Sequence, residues 1–409
     1  MDVMAPDNAK VRGKSIRLSR RQFLAQSVQG IAALAWLAAC APQSNATPIA
    51  PPAPPESKPT RAPSPAVSLD AKIGQMILVG FRGFELARDN PIVQDLRERQ
   101  IGGVVLFDYD APTRTRLRNI QSPQQVKALC TALQKTATTK LLIAVDQEGG
   151  MVARLKERYG FPATVSAQYL GSLDNLEATR AYAETTAKTL ADLGINLNLA
   201  PVVDLNINPR NPVIGNIERS FSADPAVVTR HALELVRAHH HYGVLTTLKH
   251  FPGHGSSKDD SHLGLVDVTK TWSPVELEPY SKIIAAGECD TVMTAHIFNA
   301  TLDPQLPATL SALTLGGILR ERLHFDGVII SDDMQMKAIA DHYGFDAAVE
   351  LALGAGVDIL AIANNSIFDQ YAAATTIAVI QRLVQEGKIS AERIDQSYRR
   401  IMRHKARLV

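Results

Sequence analysis

Lys249, His250, His254, Asp260 and His262 fall within fourteen residues, directly behind the apolar run 244–248. Histidine is the side chain whose ordinary pKa lies nearest neutrality, so such a cluster suits proton transfer and, equally, a bound cation. A second cluster, Asp146-Gln147-Glu148-Gly149-Gly150 with Arg154, closes the apolar run that starts at 141, and Asp332-Asp333 follows another at 327–331. Carboxylates so placed serve as nucleophiles, bases or acceptors of hydroxyl hydrogens. Asp204 with Asn206, His296, and Asn364 with Asn365 end three further runs. One Asp or Asn in such a place is ordinarily a helix cap. Six runs ending in polar groups together point to a shared site.

The elements that must position these residues follow from counting apolar runs. Strands are predicted at 76–81, 103–107, 141–146, 195–203, 244–249, 291–296, 327–331 and 357–363. Between them lie helical segments with start and stop signals. Ser122-Pro123 opens one that runs to 137, and 175–193 is closed by Gly194. Asp224-Pro225 opens a third that ends near Gly243, and Ser273-Pro274 a fourth closed by Gly287. Others are predicted at 311–323, 345–355, 368–386 and 391–408. Strands that are apolar on both faces need helices on both sides of a parallel sheet. Eight strand and helix units imply an α/β fold of the (β/α)8, or TIM-barrel, type, in which function collects at the C-terminal ends of strands. A doubly wound open sheet is the alternative, but no GxGxxG follows the first strand.

The run Lys249-His250-Phe251-Pro252-Gly253-His254-Gly255, followed by Asp260-Ser261-His262, resembles the signature of family 3 glycoside hydrolases, in particular their β-N-acetylglucosaminidase branch. The resemblance implies an exo-acting, retaining enzyme that removes terminal N-acetylglucosamine and uses no cofactor and no metal. By it, Asp332, in a segment similar to the family's GVIxSDDLxM, is the nucleophile that forms a covalent glycosyl-enzyme. His262 takes the place of the usual second carboxylic acid as general acid/base, with Asp260 orienting it and favouring its charged form. Two residues apart in an extended loop, these side chains project to one side. The small and polar residues 256–259 suggest a mobile loop that leaves His262 away from Asp332 until substrate binds. Asp146, Arg154, Arg219, Lys249 and His250 are expected to hold the sugar. Arg219 lies in a stretch similar to the family's NPxIGxRSF loop, with a longer spacing here between Gly215 and Arg219. Met151 stands where family members often have Arg.

The remaining polar residues have structural readings. Asp333 is expected to point away and cap the next helix, His254 to bond the loop backbone, and His239, His240 and His241 to form a solvated helix end. Cys130 and Cys289 are expected as buried thiols in helical segments.

The chain has 409 residues, a net charge of +2 and 5% aromatic residues, which argues against a nucleic-acid partner. Residues 1–40 differ from the rest. Arg20-Arg21 precede a short apolar run and Leu37-Ala38-Ala39-Cys40, a pattern that fits a twin-arginine-type lipoprotein signal with Cys40 lipidated. Residues 41–66 are a Pro-rich linker, and 67–409 a single catalytic domain. An exported, monomeric cell-envelope lipoprotein held to the membrane by its lipid anchor is expected. Its substrate would be a glycan of the envelope, such as peptidoglycan-derived muropeptides. The competing functions are a phosphorylase or β-glucosidase of the same family, and a metal-dependent barrel hydrolase with His250, His254, His262, His296 and Asp332 as ligands.

Overall fold

A computed structural model describes residues 67–408. The predicted signal, the linker and Cys40 lie outside the described residues. Eight strands form one parallel sheet: β1 (Ile77–Gly80), β2 (Gly103–Leu106), β3 (Leu142–Val145), β4 (Leu197–Asn198), β5 (Leu245–Phe251), β6 (Thr291–Thr294), β7 (Val328–Ile330) and β8 (Leu360–Ile362). β1 to β7 pair with their neighbours in chain order, and β8 pairs with β1 through Ile77↔Leu360. A single parallel bridge, Ile330↔Ile359, joins β7 to the start of β8 and completes the barrel. All eight strands are buried throughout, which explains why most of them read as apolar runs.

The long helices begin and end where the sequence signals stand. Ser122 caps α3 (Pro123–Thr136), Asn175 caps α5 (Leu176–Leu193) with Gly194 left-handed at its end, and Asp224 caps α6 (Pro225–His241). Beyond these come α7 (Glu278–Ala285), α9 (Phe345–Ala355), α10 (Ala372–Gln385) and α11 (Ala391–Lys405). Four short helices have too few turns for a periodic pattern: α1 (Leu69–Gln75), α2 (Pro91–Arg97), α4 (Ala167–Leu173) and α8 (Lys337–Tyr343).

Several expectations are corrected. The fourth strand was expected over 195–203, but only Leu197–Asn198 form a continuous ladder. Pro201 has no N–H to donate, so the chain beyond it meets β5 through separate bonds, such as Val203 N–H to Lys249 O at 2.9 Å. The helix expected at 311–323 is a wide π-type helix, Leu313–Arg322. The helix expected from 368 starts at Ala372, because Asn364 gathers the preceding loop by accepting from Asp369 N–H at 2.7 Å and donating to Asp369 O at 2.8 Å. Of the three helix-end histidines only His241 is exposed. His239 is fully buried, donating to Leu235 O and accepting from Asn198 Nδ2, and burial pushes its pKa down to about 4. His240 binds Asp290 at 2.7 Å. Cys289 is not helical; it lies between α7 and β6.

Candidate active site

The C-terminal mouth of the barrel holds a cavity of about 360 Å³. Asp146, Arg154, Arg219, Lys249, His250, Asp260, His262 and Asp332, all assigned from sequence, border it. Its floor includes Leu78, Val105, Met293 and Ala361, from four barrel strands. A second cavity of about 360 Å³ opens beside β1 and β8, around Arg82 and Phe368, and gathers none of the eight.

One side of the site is a network of buried charges. Lys249, near the C-terminal end of β5, is 1% exposed, and its ammonium donates to Asp146 Oδ1 at 2.9 Å and pairs with Glu148 Oε1 at 2.6 Å. Arg219 grips Glu148 bidentately, Nε to Oε2 and Nη2 to Oε1, both at 2.7 Å. Arg154 Nη2 meets Asp146 Oδ2 at 3.3 Å. Burial by itself raises the pKa of Asp146 and of Glu148, but the cations beside them outweigh it and hold both carboxyls below their ordinary values. Burial would weaken the charge of Arg219, yet Glu148, Asp204 and Asp146 hold its pKa above the ordinary value. The longer spacing before Arg219 is taken up by a short 3-10 turn, Gly215–Ile217, that still delivers the guanidinium to the cavity.

Asp204 is the hidden support of this side. It is 1% exposed and accepts the His250 and His254 backbone N–H groups and, at 2.7 Å, His250 Nδ1–H. His250 Nε2 accepts from Arg219 Nη2 at 3.3 Å, so its partners fix the tautomer. Glu148 and Asp204 were visible in the sequence as polar strand ends, but no role was assigned to either. The signal was their place beside Asp146 and directly after the fourth strand.

The other side is a loop. Asp260 Oδ1 accepts both His262 N–H and His262 Nδ1–H at 2.8 Å. The expected extended spacing is corrected to a turn, with Leu263 N–H bonded to Asp260 O at 3.0 Å; the turn folds the imidazole back onto the carboxylate. His262 borders the cavity together with Asp332 rather than standing away from it. The loop root is tight. Gly253 has a φ of +120°, and a Cβ on Gly255 would stand 1.7 Å from Leu205 O. His254 braces the loop through side chains more than through backbone, with Nδ1 to Ser257 Oγ at 2.8 Å and Nε2 to Ser261 Oγ at 3.2 Å.

Across the cavity, the two adjacent acids differ. Burial raises the pKa of Asp332, but the imidazoles of His296, His250 and His262 more than offset it, and its carboxyl is held below the usual range. Burial pushes Asp333 up to about 6. Asp333 is no helix cap: its Oδ1 accepts from Gln335 N–H and from Ala363 N–H at the end of β8, while α8 starts with no side-chain cap. His296 is buried with both ring nitrogens engaged, by Thr309 Oγ1 and Asp333 O. Of the ring nitrogens of His250, His254, His262 and His296, only His262 Nε2 has no hydrogen-bond partner among the described residues. Among those residues no group of three or more His, Cys, Asp or Glu is arranged to hold a metal ion.

The profile of the glycosyl hydrolase family 3 N-terminal domain matches residues 68–404. Beta-hexosaminidase A of Pseudoalteromonas piscicida is 37% identical over 350 residues, 78% of this chain and 55% of its own length. A beta-hexosaminidase of Pseudomonas aeruginosa is 36% identical over 296 residues, 71% of this chain and 82% of its own. Among solved structures, a family 3 β-N-acetylglucosaminidase from Paenibacillus superposes with a TM-score of 0.76 at 36% identity, covering 84% of this chain and 63% of that one. A β-N-acetylhexosaminidase from Beutenbergia cavernae gives 0.75 at 28% identity, covering 84% and 100%. The chain thus spans about half the length of the Pseudoalteromonas relative and matches the whole of the Beutenbergia one. A family profile that runs almost the full length of a (β/α)8 barrel with charged strand ends leaves one assignment: the chain belongs to glycosyl hydrolase family 3.

Proposed function

We propose that this protein is an exo-acting, retaining β-N-acetylglucosaminidase. The observation that carries the reading is that an imidazole nitrogen without a partner among the described residues, His262 Nε2, and a carboxylate held below its usual pKa, Asp332, border one cavity. A cavity of about 360 Å³ is near the small end of ligand pockets, which suits one terminal sugar ring. Asp332 attacks the anomeric carbon while His262 Nε2–H gives its proton to the leaving oxygen, and a glycosyl ester on Asp332 results. Neutral His262 then takes a proton from water, whose oxygen displaces Asp332 and restores the carboxylate. Asp260 keeps Nδ1 of the imidazole protonated and its charge balanced throughout. Asp146, Arg154, Arg219, Lys249 and His250 hold the sugar hydroxyls, where an epimer would leave buried polar groups unpaired.

The deciding test traps the intermediate. With a slow fluorinated N-acetylglucosaminide, the wild-type chain gains one glycosyl unit on the peptide that contains Asp332. The Asp332→Ala variant gains none and loses turnover by on the order of 10⁴-fold. Unchanged turnover in Asp332→Ala, or label on another carboxylate, overturns the assignment. Aryl N-acetylglucosaminide, compared with aryl glucoside and aryl xyloside with and without phosphate, separates the hydrolase from a β-glucosidase and from a phosphorylase. The Arg20-Arg21 and Cys40 pattern supports a further reading: a monomeric envelope lipoprotein acting on peptidoglycan-derived muropeptides. Mass spectrometry of the mature N-terminus tests it, and an intact 1–39 segment rejects the processing.

A further inference from the structure

Glu276 lies outside the cavity and makes no part of the chemistry above, yet it is 0% exposed and abuts the root of the loop that carries Asp260 and His262. It sits in the turn Pro274–Leu277 that leads into α7. Its Oε2 accepts the Gly255 N–H at 3.0 Å, and a Cβ placed on Gly253 would come within 2.6 Å of its own Cβ. On the opposite flank Asp204 accepts the His254 N–H at 2.7 Å. Two buried carboxylates therefore grip the same short turn, and from that turn His254 reaches Ser257 and Ser261 on either side of Asp260.

The two grips differ in completeness. Asp204 is satisfied by three donors, the His250 N–H and Nδ1–H at the end of β5 and the His254 N–H on the turn. Glu276 Oε1, the neighbouring Ser256 Oγ and the nearby Tyr280 hydroxyl are all buried without a partner among the described residues. A buried polar group without a partner marks a packing held at a cost and released more easily than a satisfied one. We propose that Glu276 is a positioning residue: the protonation of its carboxyl sets how firmly residues 253–256 are packed, and through them how often His262 is presented to the cavity. The inference rests on the acid/base reading of His262.

The charged and titratable groups that act on Glu276 are Asp204 beyond β4 and Tyr280 on α7, while His250 on β5 and His254 on the turn are paired with Asp204. Burial pushes Glu276 up to about 7, with the charge of Asp204 adding, against the hydrogen bond that Gly255 N–H donates. The packed root therefore holds a proton more tightly than a released root, whose carboxyl returns to the ordinary glutamate range. The packed state keeps its full advantage at acid pH and loses it as pH rises from that range to about 7.

Hydrogen exchange of the peptide covering 253–264, measured on the full chain and corrected for the intrinsic pH dependence, reads this directly. Between pH 5.5 and pH 8 wild-type protection should fall roughly tenfold or more, as a shift of at least one pKa unit requires. Glu276→Gln, a neutral isostere, should hold the acid-pH protection at both values. In Glu276→Gln the kcat profile with a poor leaving group should extend to higher pH, with KM within about twofold. Protection that does not change with pH in the wild type overturns the proposal by itself, even where Glu276→Gln fails to fold. His262→Ala separates the two readings. If that variant loses activity while 253–264 shows no pH dependence, the positioning role fails and the acid/base role stands. If 253–264 loosens with pH in both chains but His262→Ala keeps its turnover, the anchor stands and the acid/base role fails.

Discussion

The two sides of the cavity are built on opposite plans. On the strand-end side, Lys249, Glu148 and Arg219 have side chains that are 2%, 5% and 11% exposed, and each charge has at least one opposite charge within 3 Å. On the loop side His262 is 58% and Asp260 27% exposed, and among the described residues they form an ion pair only with each other. Burying charge is costly unless every charge is matched, so the first side is held as one unit. Fixed in this way, its donors and acceptors need no rearrangement when a sugar arrives. The loop side has the other requirement, because a group that protonates a leaving oxygen and then admits water must allow the aglycone to depart. On the proposed reading, rigid recognition at Lys249 and yielding proton transfer at His262 stand within fourteen residues of each other.

Glu148→Gln is the most severe way to break this contrast. The side chain keeps its shape but loses the charge shared by Lys249 and Arg219, leaving two buried cations with Asp146. Unfolding in urea should show a loss of about 3–5 kcal/mol, with a rise in KM in whatever fraction remains folded. A melting curve like that of the wild type would mean that the strand-end side is not a coupled unit.

Asp260→Asn should do the reverse. Stability should stay within about 0.5 kcal/mol, because the pair is exposed. The kcat for substrates with poor leaving groups should fall on the order of 10²-fold, and much less for activated aryl glycosides that need no proton. Equal losses on both substrate types would remove the acid role from His262.

Much of this was legible in the residues. Eight apolar runs located the barrel, and Asn175 and Gly194 bounded α5 because a cap and a left-handed end are local chemistry. Asp146, Lys249 and Asp332 could be placed at the cavity because each lies at or near the C-terminal end of a barrel strand. What was not legible depends on neighbours distant in sequence. Glu148 is a hub only because β3, β5 and the Arg219 turn converge on it, 71 residues separating it from Arg219. By sequence His239 stands at a solvated helix end, but the packing of α6 against the barrel brings Asn198 to it. The Asp260 and His262 pairing was right in partner and wrong in mechanism, since a turn and an extended loop both bring residues two apart together.

The smallest change should come at the seam between the two plans. Ser257 is 1% exposed, and its hydroxyl meets His254 Nδ1 at 2.8 Å and Asn211 Nδ2 at 3.0 Å. Ser257→Ala leaves His254 Nδ1 without a partner, while Asn211 keeps its bond to His254 O at 2.7 Å. About 1 kcal/mol of stability should be lost, the ordinary worth of one such bond. Because His254 also holds Ser261, beside both members of the dyad, kcat should fall by roughly threefold to tenfold with KM unchanged, a small misplacement of a proton donor. Steady-state kinetics and melting of the same sample decide it. A stability loss with unaltered kcat would make the brace part of the rigid side alone, and the boundary between the two plans would then move outward to Asp260.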